Sequence, residues 1–564
     1  MSRWLASLVF LGTLAFFGAF IIWPVAQIVQ GGFLDADGGF TLAHLGALLA
    51  HPLYREGLVN SFLLACVTTV FAFALGLPLA YCADRFRFPG KTALTALILV
   101  PLVLPPFVGA IGLRQIFGQY GALNALLQHA GLLAHGATVD WLAHGRFWGI
   151  ALVEALNLYP IIFLNAVSAL ANVDPAMEEA AANLGCTGWR RFRRITLPLI
   201  RPGLFAGGTI VFIWSFTELG VPLVFDYDRL ASVQVFALLK EMTGNPAPYA
   251  LVALLLILST LFYAVGRGIF GRTGHAMMAR ATAASAARRL PLWRALPVSF
   301  FFVAVLLLAV LPHLGVVLVA SSRDWYGTLL PEQFTLENFR LALGHDLTVP
   351  AIGNSLRYAA LATMLDLVLG VAIAWVVVRS RLPGRQLLDA IAMVPLAVPG
   401  LVLAFGYLAM TREGRFFAAL DPVENPTLLL VIAYAVRRLP YVVRAAVAGL
   451  QQTSVTLEEA AQSLGATAWR ALRRITLPLI AANLVAGGLL AFAFAMLEVS
   501  DSIILAQKAA YFPITKAIYE LFQLLGDGRY LASALGTWAM AFLALTIVAL
   551  GVLLGRKAGA LFRG

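Results

Sequence analysis

The sequence predicts an all-α, polytopic membrane protein of about twelve transmembrane helices, arranged as two parallel six-helix repeats. Three observations predict it. Apolar stretches of helical length recur along the chain, 61% of its 564 residues are hydrophobic against 12% charged, and one loop motif occurs twice, 280 residues apart. A mean hydropathy of +0.86 excludes a soluble protein of ordinary surface polarity.

The spans fall near 5–29, 60–82, 93–118, 147–170, 203–225 and 249–268, then near 296–320, 354–378, 387–410, 427–449, 482–504 and 531–555. Each is long enough to cross the hydrocarbon core as a helix. The first, from Leu5 to about Val29, follows only Arg3 and lacks a small-x-small cleavage site, so it reads as a retained helix and not a signal peptide. Basic residues concentrate on alternate loops: Arg85, Arg87 and Lys91; Arg190, Arg191, Arg193 and Arg194; Arg379, Arg381 and Arg385; Arg470, Arg473 and Arg474. Positive charge marks the cytoplasmic side, which places both termini inside. The net charge of +12 is thus a matter of topology and implies no nucleic acid. Cys66, Cys82 and Cys186 lack metal-type spacing and imply no disulfide framework.

The two halves match each other. Asn60-Ser61, Arg87, Pro89-Gly90 and Val100-Pro101-Leu102 align with Asn354-Ser355, Arg381, Pro383-Gly384 and Val394-Pro395-Leu396 at an offset of 294. The loop motif aligns at 280, and the difference of 14 is extra chain in the first half's outer loop, around Gly121–His144. The domains read as a first half over 1–270, an Ala- and Arg-rich cytoplasmic linker over 271–293 and a second half over 294–564. An even number of spans between equivalent points makes the repeats parallel, with a pathway expected at their interface. Pro101, Pro105 and Pro106, and again Pro395, Pro399 and Gly400, should break the third span of each half, a feature tolerated where backbone lines protein or a cavity.

The repeated loop runs over 174–200 and 454–480. Both copies read Glu-Ala-Ala, three residues, Gly, nine residues, Ile-x-Leu-Pro. Asp174-Pro175 and Ser454 or Thr456 can cap a helix whose first turn carries Glu178-Glu179 or Glu458-Glu459. Gly185 and Gly465 should end it, and Pro198 and Pro478 should open the next span. The product is a helix-turn-helix on the cytoplasmic side.

This spacing resembles the cytoplasmic loop of permease subunits of type I, binding-protein-dependent ATP-binding-cassette importers, and the likeness extends from end to end of the chain. It implies a fused permease of the bacterial inner membrane, in which Glu178, Glu179, Ala180, Ala181 and Gly185, with Glu458, Glu459, Ala460, Ala461 and Gly465, dock to a homodimer of ATPase subunits. ATP and magnesium would belong to that partner. The chain itself has no Gly-x-x-x-x-Gly-Lys-Ser/Thr loop, needs no cofactor of its own and is not expected to be an enzyme. A periplasmic binding protein would deliver the solute, and alternating access would move it.

Few ionisable residues lie within the spans. Glu218 and Glu498 are 280 apart, one in each half, and Asp501 lies one helical turn beyond Glu498. A charge at such depth costs on the order of 3 kcal/mol and normally faces inward. Two readings stand: an acidic constriction or transient cation site on the pathway, or ion pairs with Arg437, Arg438 or Arg444 that hold helices together. Arg437-Arg438 has no charged counterpart in the first half, where Asn157-Leu158 aligns. It would suit either an anionic substrate or an internal salt bridge. Glu154 and Asp366 have no counterparts and no assigned role. The eight histidines are scattered, so no stable metal site is expected. The fused twelve-span arrangement and the segments 212–220 and 497–502 are similar to the branch that includes ferric iron, thiamine and 2-aminoethylphosphonate permeases, with ferric iron the leading substrate. An ion-coupled secondary transporter would also use intramembrane acids, but it needs no pair of docking loops.

Overall fold

The computed structural model describes residues 3–35, 37–142, 145–242, 244–270 and 288–561. Residues 271–287 of the expected linker lie outside that set. The described chain is helical almost throughout, and its one short parallel strand pair joins Phe86–Arg87 to Arg288–Arg289. Among the described residues, eight helices are long and apolar enough to cross a membrane, or ten if each of two bent pairs is one span, against the twelve expected. Helices do occupy the two remaining positions, Thr427–Gln452 and Gly528–Leu561. The former carries Arg437, Arg438 and Arg444 along its length, and the last turns of the latter hold side chains outside the described set.

Two compact units divide the fold. One comprises Met1–Leu48, Leu238–Ala253 and Phe339–Gly564; the other comprises Leu49–Ala237 and Leu254–Asn338. These divisions differ from the halves of the sequence, because each unit takes its first span from the opposite half. Within the first unit, helices Thr348–Arg379, Thr427–Gln452 and Leu477–Met496 pack together; within the second, Pro52–Arg85, Arg146–Ala171 and Leu197–Phe216 do the same.

Small residues set how the incoming span seats. In the second unit Leu292–Ala320 crosses Pro106–Phe117 at Gly112, where a Cβ would come within 2.0 Å of the Pro312 carbonyl oxygen. The first unit repeats the device: Gly406 faces Pro24, with a Cβ there 2.8 Å from that ring. Close backbone approach through small residues is how helices gain van der Waals contact in a membrane. Gly112→Leu should therefore destabilise the chain by about 1–3 kcal/mol, the usual cost of overpacking. Thermal unfolding in detergent reads this, and an unchanged midpoint would show that the contact yields freely.

The third span of each half breaks where its prolines stand. Lys91–Leu102 meets its continuation at 92°, and Arg385–Leu396 meets Gly400–Met410 at 98°. Proline removes a backbone donor and its ring clashes with the preceding turn, so freed carbonyls must find partners. In the second unit the Asn157 amide supplies them, donating to the carbonyls of Pro101 at 2.6 Å and Leu104 at 3.1 Å. In the first unit the aligned residue is Arg437, whose guanidinium lies where a side chain on Gly400 would stand.

Candidate functional site

Both copies of the repeated loop fold alike. Helix Pro175–Asn183 starts with the Asp174 carboxylate accepting from the Ala176 N–H at 2.9 Å, and helix Val455–Ser463 starts with the Ser454 hydroxyl accepting from Thr456 at 3.3 Å. Of the two caps proposed for the second copy, Ser454 is the one used. Each helix ends in a left-handed glycine, Gly185 at φ 78° and Gly465 at φ 86°. The Gly185 and Cys186 N–H groups return to the carbonyls of Ala182 and Ala181, and those of Gly465 and Ala466 return to Gln462 and Ala461. Two otherwise orphaned carbonyls are satisfied in each loop.

Beyond the turn, the chain differs from expectation. Pro198 and Pro478 do not open a span, since the membrane helix already begins at Gly188 in one copy and Ala468 in the other. A π turn, Phe192–Thr196 or Leu472–Thr476, ends two residues before each proline and widens the helix where proline offers no N–H.

The paired glutamates of each loop have different fates. Glu179 and Glu459 are exposed, as are Ala180 and Ala460. Glu178 is buried: its Oε1 accepts from Arg85 Nη2 at 2.7 Å and from the Thr196 hydroxyl at 2.6 Å. Glu458 accepts from Arg379 Nε at 3.2 Å, while Arg379 Nη2 reaches the carbonyl and hydroxyl of Thr453, each at 3.0 Å. In the sequence Arg85 and Arg379 stand out only as topology charges. The signal was present, because they align at 294 exactly as their partners align at 280. Ala181 is buried and Ala461 half-buried on the inner face of their helices, whereas Leu184 and Leu464 are 88% and 89% exposed.

The intramembrane acids sit at equivalent breaks. Leu197–Phe216 gives way to the short helix Gly220–Val224 across Glu218, and Leu477–Met496 gives way to Ser500–Leu505 across Glu498. Each backbone carbonyl at the break accepts a hydroxyl, from Ser232 at 2.6 Å onto Glu218 and from Thr515 at 2.7 Å onto Glu498. The side chains then diverge. Glu218 caps the short helix, its Oε1 accepting from the N–H groups of Gly220 at 3.0 Å and Val221 at 3.3 Å. Glu498 lies between Arg437 and Arg438 and bonds to both guanidinium groups. Asp501, fully buried, is 3.4 Å from Arg437.

Arg444 takes no part in this network. Seven residues past Arg437, about two helical turns, it stands half-exposed and pairs with Asp389 at 3.2 Å. Glu154 and Asp366, which had no assigned role, are both buried. Glu154 receives the hydroxyls of Ser215 and Thr68 on one oxygen. Neither carboxylate oxygen of Asp366 accepts a hydrogen bond within the described residues. Among those residues no group of three or more His, Cys, Asp or Glu could hold a metal ion.

The family described as binding-protein-dependent transport system inner membrane component is matched by residues 43–273 and 366–561. The chain is 28% identical to a protein assigned as a ferric transport system permease in Haemophilus influenzae, over 89% of this chain and 78% of that one. It is also 28% identical to the ferric transport system permease protein of Actinobacillus pleuropneumoniae, over 86% and 69%. Among solved structures, a bacterial ABC transporter that imports the acidic polysaccharide alginate aligns with a TM-score of 0.40 at 18% identity, over 48% of this chain and 96% of that one.

Proposed function

Because the chain belongs to the family of inner membrane components of binding-protein-dependent transport systems, we propose that it moves ferric iron across the bacterial inner membrane as the permease subunit of an ATP-binding-cassette importer. The two ferric permease relatives, each covering most of the chain, support the substrate. In this reading a periplasmic binding protein delivers the iron, a homodimer of separate ATPase subunits supplies ATP and magnesium, both termini lie in the cytoplasm, and two fused halves joined by the linker line the pathway. ATP-driven closure of the partner pushes on the two loop helices, opens the cavity outward to receive iron, and hydrolysis resets it inward.

One observation carries the reading. Two loops of matching form each present a glutamate, an alanine and a nearly bare leucine: Glu179, Ala180 and Leu184, and Glu459, Ala460 and Leu464. Burying a leucine is worth about 1.5–3 kcal/mol, so this face is suited to a protein surface. For the pathway, the candidates are Glu218, which caps a short helix, and Glu498, Asp501, Arg437 and Arg438, which pair with one another.

Cysteine cross-linking tests the docking surface. With Cys66, Cys82 and Cys186 replaced by serine, Leu184→Cys and Leu464→Cys should each cross-link to the ATPase subunit, in a yield that changes when ATP is added. Cross-linking at neither position in an intact complex would remove the proposal.

A further inference from the structure

Helices Pro52–Arg85 and Thr348–Arg379 each end on the arginine that grips the first turn of a loop helix. Side-chain exposure is 13% for Arg85 and 8% for Glu178, and 8% for Arg379 and 14% for Glu458, so both pairs are screened from water at an otherwise wet surface. Buried charge pairs hold their geometry because separating them leaves an uncompensated charge. The surroundings are not copies of each other: Thr196 and, 3.2 Å from Arg85 Nε, Asp84 supplement the first pair, while the aligned Thr476 hydroxyl has no hydrogen-bond partner among the described residues and Thr453 supplements the second. What is common to both loops is the arginine, the glutamate and their contact.

Mechanically, a push on the loop helix has three exits. One runs back along the chain, through the short joint at 172–174 or 453–454, into the helix that precedes it. Another runs forward, through the left-handed glycine and the π turn, both irregular backbone, into the helix that follows. The third passes through the ion pair into a continuous helix of 34 or 32 residues, a lever about 50 Å long at the α-helical rise.

We propose that Arg85 and Arg379 are positioning residues which, through Glu178 and Glu458, pass the displacement of each loop helix to the long helix that ends beside it, and so set how much solute moves per ATP hydrolysed. The inference rests on the importer reading. It gives the two adjacent glutamates separate tasks, with Glu179 and Glu459 facing outward and Glu178 and Glu458 tying inward.

The test uses the full complex in proteoliposomes and reads uptake and ATP hydrolysis together. Arg85→Ala and Arg379→Ala should each lower uptake per ATP by about tenfold, within the range of coupling between distant sites. Arg85→Lys should retain most of it, and Arg85→Glu should recover when combined with Glu178→Arg. Assembled alanine variants with wild-type uptake per ATP would overturn the inference. If the alanine variants fail to assemble, the reversed pair decides: recovered assembly and uptake support the contact, and failure to recover overturns it. A wild-type chain that neither binds nor stimulates an ATPase would instead overturn the importer reading, so the two failures are distinct.

Discussion

Glu498→Ala is expected to destabilise the protein by about 3–5 kcal/mol, the cost of stranding one side of a buried ion pair. Arg437 would retain Asp501, and Arg438, itself buried, would lose its Glu498 partner. Arg437 also lies against the break at Gly400, so its release should loosen that bend. The comparison is Glu218→Ala at the aligned position, which removes the cap on helix Gly220–Val224. Loss of a cap costs about 0.5–2 kcal/mol. Thermal unfolding of the two variants in detergent separates them. Equal midpoints would mean that the four-residue network carries no more structural weight than a single cap.

Gly185→Val and Gly465→Val are expected to cut uptake per ATP severely. Both glycines are left-handed, at φ 78° and 86°. Nothing lies within 4 Å of a Cβ at either site, so the obstacle is the backbone and not a clash. A side chain in that conformation costs about 1–2 kcal/mol, and a β-branched one is worse placed still. The turn should reopen and move Leu184 or Leu464 off its position. Gly185→Asn, which tolerates the same φ, should keep most of the activity. If valine and asparagine variants transport equally well, the shape of the turn is immaterial to coupling.

Much of this was legible in the sequence because it is written in residues that leave the backbone few choices. Prolines broke the third span of each half at the expected place, and glycine ended both loop helices. Spacing alone also put Glu218 and Glu498 at matching positions. It could not say that one would cap a helix and the other would take two arginines, because that depends on which side chain crosses from the neighbouring helix. The same limit hid the ties from Arg85 to Glu178 and from Arg379 to Glu458, whose partners are 93 and 79 residues apart. The exchange of first spans between units was invisible for another reason. Both first spans are almost uniformly apolar, and where each one packs is settled by contacts in three dimensions, such as Pro312 on Gly112 and Pro24 on Gly406.

ATP-dependent uptake of radiolabelled ferric iron, by proteoliposomes holding this chain with its ATPase and binding protein, tests the central claim most directly. Iron should accumulate only when ATP is present, and excess thiamine or 2-aminoethylphosphonate should leave that accumulation unaffected. Accumulation of either competitor in place of iron would contradict the substrate, and iron uptake that proceeds without ATP would contradict the mechanism.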